Sequence, residues 1–126
     1  MKRIIPMALL CGGLLLGAAL AGLPAAGQEP FTEIRIQGGK LTSGPKVLRV
    51  KQGDTVRLRF TVDKAMEIHL HGYKVERKAT PGAPAEMVFP ARAAGRFPVE
   101  AHAEGAGGGH GHGAGGALLY LEVHPR

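Results

Sequence analysis

The chain has no tryptophan, two tyrosines and four phenylalanines, and its single cysteine, Cys11, lies in the N-terminal segment. So few aromatics provide no platform on which bases could stack. The basic residues are spread out as Arg35, Arg49, Lys51, Arg57, Arg59, Arg77 and Arg92, not gathered in a block. Nucleic acid is therefore not an expected partner, and the mild basicity is better read as solubility, with some attraction to acidic surfaces. No serine or cysteine nucleophile stands with a suitable base, and Thr42 and Ser43 read as loop residues, so no enzyme is expected. No segment repeats its apolar residues with a helical period, which excludes helix-based architectures.

The N-terminal segment sets the compartment. Lys2 and Arg3 precede an apolar run from Ile4 to Leu20, broken by Pro6, and small residues follow through Ala25-Ala26-Gly27. This is the pattern of a secretory signal peptide over 1–27, with Ala25 and Gly27 supplying small residues at the cleavage site. Cys11 follows Leu9-Leu10, with no small residue before it and too short an apolar run ahead of it for lipoprotein processing. The expected mature domain, residues 28–126, has no cysteine, so no disulfide framework can form even in a compartment that permits one. Loss of Lys2 and Arg3 lowers the formal net charge from +6 to +4. The protein is expected to be periplasmic or secreted, with no stable membrane insertion after cleavage.

The mature region reads as a series of short strands. Ile34 and Ile36 alternate with Arg35 and Gln37 before Gly38-Gly39 breaks the run. Leu48 and Val50 alternate with Arg49 and Lys51, and Gln52-Gly53-Asp54 makes a turn. Val56, Leu58, Phe60 and Val62 then take one face of the clearest strand, with Arg57, Arg59 and Thr61 on the other. Met66–Tyr73 reads as another strand. Pro81-Gly82 and Pro84 mark a turn before Met87 and Phe89, and further alternating runs follow at Phe97–His102 and Leu119–Val123. Seven or eight short strands with regular turn signals predict an all-β, Greek-key antiparallel β-sandwich.

His69-Leu70-His71-Gly72 is the most informative stretch. On an extended strand, residues i and i+2 leave the same face about 6–7 Å apart. Two imidazoles so placed can share a metal ion, and imidazole is a common ligand of copper, zinc and nickel. They are equally compatible with polar positions on a half-buried strand. His102 adds a third imidazole. From 103 to 117, eight of fifteen residues are glycine, a composition that predicts a flexible loop with nothing to bury. Its His110 and His112 are the loop's only side chains with strong ligand chemistry. Met66 could offer a soft thioether, although a methionine beside a strand is more often packing.

Lys51-Gln52-Gly53-Asp54-Thr55-Val56, Ile68-His69-Leu70-His71-Gly72-Tyr73, Gly95-Arg96-Phe97 and the terminal Leu/Val strand resemble, in order and spacing, a small secreted cupredoxin-like domain. The match spans nearly all of the mature region. It is strongest to the last cupredoxin domain of multicopper oxidases, whose pattern is H-x-x-H-x-H-G followed by G-x-W-x-x-H-C-H. The resemblance implies that His69, His71 and His102 fall on ligands of the oxidase's multinuclear copper cluster. Three residues depart from it. Met66 stands where the oxidases place a type 1 copper histidine, Ala101 where they place its cysteine, and Glu100 where they place a further cluster histidine. A blue copper site needs a thiolate, so blue-copper electron transfer is not expected.

These readings converge on an exported copper-binding protein acting in metal buffering, delivery or resistance. Its metal would be Cu(I) or Cu(II), ahead of zinc. The expected ligands are His69, His71, His102, His110 and His112, with Met66 and Glu100 as further candidates, and a protein partner in copper transfer would fit. The alternative is a metal-free cupredoxin-like interaction module that docks a larger oxidase or transporter, since a fold by itself does not choose a function.

Overall fold

The computed structural model describes residues 27–103 and 116–126. The expected signal peptide, apart from Gly27, and most of the expected 103–117 loop, with His110 and His112, lie outside the described residues. The described residues form nine strands: β1 (Thr32–Gln37), β2 (Lys40–Ser43), β3 (Val47–Lys51), β4 (Thr55–Val62), β5 (Met66–Leu70), β6 (Val75–Ala79), β7 (Ala85–Pro90), β8 (Gly95–Ala103) and β9 (Leu119–His124). No helix among them is long and apolar enough to cross a membrane.

The strands build two facing sheets, one of order β2-β1-β4-β7 and one of order β3-β9-β8-β5-β6. The all-β sandwich is the expected one, but its sheets are mixed rather than purely antiparallel. β1 runs parallel to β4, with Ile34 opposite Phe60, and β3 runs parallel to β9, with Leu48 opposite Leu121. Between the members of each parallel pair the chain visits the opposite sheet, through β3 in one case and through β4 and β7 in the other. One-face burial has a two-residue period whichever way the neighbouring strand runs, so alternation could not reveal these pairings.

β4 shows how the sequence specifies the sandwich. Val56, Leu58, Phe60 and Val62 are buried, while Arg57, Arg59 and Thr61 remain partly accessible on the other face. Leu58 and Phe60, with Ile34, Ile36 and Met87 of the same sheet, meet Ile68, Leu70, Val99, Leu119 and Leu121 of the other. Full burial of such a side chain stabilises the fold by roughly 1.5–3 kcal/mol. No polar or charged residue among the described residues belongs to this core.

Turn chemistry fixes the connections. Gly38 and Gly39 adopt φ of 57° and 75° between paired Gln37 and Lys40, as a tight two-residue hairpin requires. The expected Gln52-Gly53-Asp54 turn is present. Asp54 Oδ2 accepts from the Lys51 N–H at 2.9 Å, and Arg126 donates to Gln52 O at 2.6 Å and to Asp54 Oδ1 at 3.2 Å. The Lys51 N–H is the main influence holding the Asp54 carboxyl below its ordinary range, partly opposed by desolvation and assisted by Arg126.

The histidine strand is shorter than expected. β5 stops at Leu70, and residues 71–74 form a turn in which Gly72 has φ 84° and Lys74 φ 54°. The chain then returns as β6, a strand not anticipated from sequence. Its residues Val75-Glu76-Arg77-Lys78-Ala79 are mostly exposed along a sheet edge, so they lack the one-sided burial that alternation detects.

Candidate metal centre

The outward face of the five-stranded sheet collects three of the histidines singled out from sequence, His69, His71 and His102. Across the β5–β8 ladder, His69 lies opposite Glu100 and Glu67 opposite His102. Across β5–β6, His69 lies opposite Glu76 and Glu67 opposite Lys78. His71 is one residue past the strand, yet its N–H donates to Pro98 O at 3.1 Å, extending the ladder by one step. It thus stays on the face of His69, with ring centroids 4.1 Å apart and ring planes inclined by 37°.

Glu100 organises the centre. Its Oε2 lies 3.0 Å from His71 Nε2 and 3.7 Å from His102 Nε2. The shorter contact is a hydrogen bond between the His71 ring and the carboxyl group. His69 turns the other way, with Nε2 3.5 Å from Glu76 Oε1. The side chains are accessible: 41% exposed for His71, 47% for His102, 30% for Glu100 and 26% for His69. Glu67, Glu76 and Glu100 make this patch locally acidic on a chain of net positive charge.

The turn after His71 is held by packing that leaves no room for a side chain at residue 72. A Cβ added to Gly72 would come within 2.5 Å of Phe97 Cδ1. Tyr73 meets the Phe97 ring edge-on, with centroids 4.9 Å apart, and packs against Phe89 at 5.2 Å. Its hydroxyl donates to Ala93 O at 2.9 Å and accepts from the Ala93 N–H at 3.1 Å. These contacts anchor the backbone from which His71 projects.

Met66, Ala101 and His124 sit away from this group. Met66 lies on the inward face and is 7% exposed, with its thioether turned from the histidines. Ala101, where the oxidase pattern has its thiolate, faces inward opposite Ile68 and packs on the core. His124 ends β9, paired with Lys51, away from the cluster. Sequence reasoning did not single out Glu67 and Glu76. Glu67 carried a signal, since it shares the parity of His69, whereas Glu76 depends on the unanticipated β6.

Among the described residues no three His, Cys, Asp or Glu side chains form a ready metal-binding group. The donor chemistry nevertheless fits a metal ion. Two donors about 2.0–2.2 Å from a shared ion are roughly 2.8–3.6 Å apart at ordinary bond angles. The 3.0 Å His71–Glu100 separation lies within that range, and the 3.7 Å His102–Glu100 separation lies just above it. A cleft of about 480 Å³, lined by Glu29, Leu48, Val50, Asp54, Val56 and Arg57 among others, contains none of the histidines.

No family model matches the chain, and no curated protein matches it in sequence. Solved structures do. A chain of a heme-copper terminal oxidase dimer superposes with a TM-score of 0.56 at 20% identity, over 79% of this chain and 76% of that one. A copper-binding protein in its apo form gives 0.52 at 18% identity, over 77% and 93%. A multicopper oxidase gives 0.53 at 22% identity, over 74% of this chain but only 41% of the oxidase. At such identities the likeness establishes the fold.

Proposed function

Starting from a cupredoxin-like sandwich with no cysteine among its described residues, we propose that this protein is an exported copper-binding protein. It would act in periplasmic or extracellular buffering, delivery or resistance. The observation that carries this reading is the approach of the His71 and His102 ring nitrogens to one Glu100 oxygen, with His69 stacked beside them. The copper-associated names of the structural neighbours favour copper over other metals that imidazole accepts.

In this role His71, His102 and Glu100 hold the ion, and His69 either joins them or stays with Glu76. A ring nitrogen must be free of its proton to hold copper, so binding weakens in acid as protons compete for the same nitrogens. The exposed face leaves the ion open to a partner protein, which suits capture and hand-over better than turnover. The test is metal analysis of untagged protein from the exported fraction, followed by copper titration against a chromophoric chelator. Copper near one equivalent, lost when His71 and His102 are replaced by alanine, supports the reading; metal-free protein that does not compete for copper overturns it.

A second reading draws support from the engaged ring nitrogens. If the imidazole–carboxylate contacts are structural, the same face is a polar surface that docks a larger oxidase or transporter without metal. The same titration separates the two readings.

A further inference from the structure

Resting on that copper reading, we propose that the site selects Cu(II) over Cu(I) because Glu100 is itself a ligand, shared between His71 and His102. Cu(I) is favoured by soft thiolate and thioether donors, whereas nitrogen and oxygen donors in a tetragonal arrangement favour Cu(II). The described residues contain no cysteine, and their two methionines, Met66 and Met87, are 7% and 0% exposed in the core. Among the described residues, the donors gathered at His71, Glu100 and His102 are therefore imidazole nitrogen and carboxylate oxygen.

Charge acts in the same direction. A carboxylate attracts a dication about twice as strongly as a monocation at the same distance, and the Glu100 oxygen lies 3.0 Å and 3.7 Å from the two ring nitrogens. Glu76 lies opposite His69 and adds negative charge beside the site, while Glu67, opposite His102, is faced by Lys78 on its other side. The open face lets water complete the coordination of a divalent ion. Among first-row divalent ions such donors bind copper more strongly than zinc, so the preference is for Cu(II) in particular.

The test is a pair of competitions on untagged protein: Cu(II) against a Cu(II) chelator in air, and Cu(I) against a Cu(I)-specific chelator under anaerobic reducing conditions. Wild type, Glu100→Gln and Met66→Leu are compared, with circular dichroism as the check on folding. Wild type is expected to hold Cu(II) more tightly than Cu(I). Glu100→Gln is expected to lose at least the roughly 10–100-fold in Cu(II) affinity that loss of an outer-shell partner costs, with little change towards Cu(I), while Met66→Leu binds as wild type. Tighter binding of Cu(I), undiminished Cu(II) affinity in folded Glu100→Gln, or weakened binding in folded Met66→Leu would each overturn the selectivity and leave copper binding standing. Failure of wild type to take either ion would instead overturn the copper reading beneath it.

Discussion

Gly72 links the sandwich to its candidate centre through a single missing methyl group. Its φ of 84° lies where side chains are strained, and an added Cβ would sit 2.5 Å from the Phe97 ring. Gly72→Ala must therefore move either Phe97 or the turn that carries His71. We expect a loss of roughly 1–3 kcal/mol, read as a lower urea midpoint, together with weaker copper binding. Unchanged stability and binding would mean that the turn does not position His71. At position 101 the expected outcome is spectroscopic. With alanine in place of a thiolate, the copper-loaded protein should show no intense blue charge-transfer band and a nitrogen/oxygen Cu(II) signal by electron paramagnetic resonance. An intense blue band from purified monomer would contradict that assignment.

Among the elements, the β3–β4 turn offers the clearest pH test. Asp54 accepts from the Lys51 N–H and from Arg126, and its carboxyl is held below its ordinary value of 3.8. A carboxylate with a depressed folded-state pKa adds stability that is fully present above its unfolded value and lost as pH falls through the folded one. Asp54→Asn should therefore destabilise the protein at neutral pH, and its gap from wild type should close on acidification below about 3.8. Denaturant unfolding at several pH values measures this; a gap that persists in strong acid would exclude the carboxylate's charge as the cause.

Legibility follows the same physics at element scale. β4 could be read from the sequence because Val56, Leu58, Phe60 and Val62 bury one face. The Gln52-Gly53-Asp54 turn could be read because glycine and aspartate have specific local roles. β6 could not, because Glu76, Arg77 and Lys78 lie exposed on an edge. The parallel pairings β1–β4 and β3–β9 could not be read from alternation either. At the candidate site, the shared face of His69, His71, Glu100 and His102 followed from parity. The split between a Glu100-centred group and a His69–Glu76 contact depended on side-chain rotamers and on β6, which no spacing rule supplies.

At the scale of the whole molecule, a positively charged chain carries an acidic histidine face, and folding does the work of assembling it. His69 and His102 are fixed by paired strands and His71 by the Pro98 hydrogen bond, so the entropy of ordering their backbone, roughly 1–2 kcal/mol per residue, is met before the ion arrives. His110 and His112 lie outside the described residues, in a glycine-rich sequence whose ordering would have to be met when the ion binds. The tighter copper event should therefore depend on the strand-borne set. In competitive titration, His69→Ala/His71→Ala/His102→Ala is expected to abolish tight binding, whereas His110→Ala/His112→Ala weakens it only modestly. Circular dichroism checks that both proteins fold; the triple variant should match wild type, since His69, His71 and His102 lie outside the core. Acidification should weaken binding in wild type and in the His110/His112 variant alike, because in both protons compete with copper for the strand-borne imidazoles. If the triple variant binds as tightly as wild type while the double variant fails, the ligands reside in the connection between β8 and β9, and the face around Glu100 is a docking surface instead.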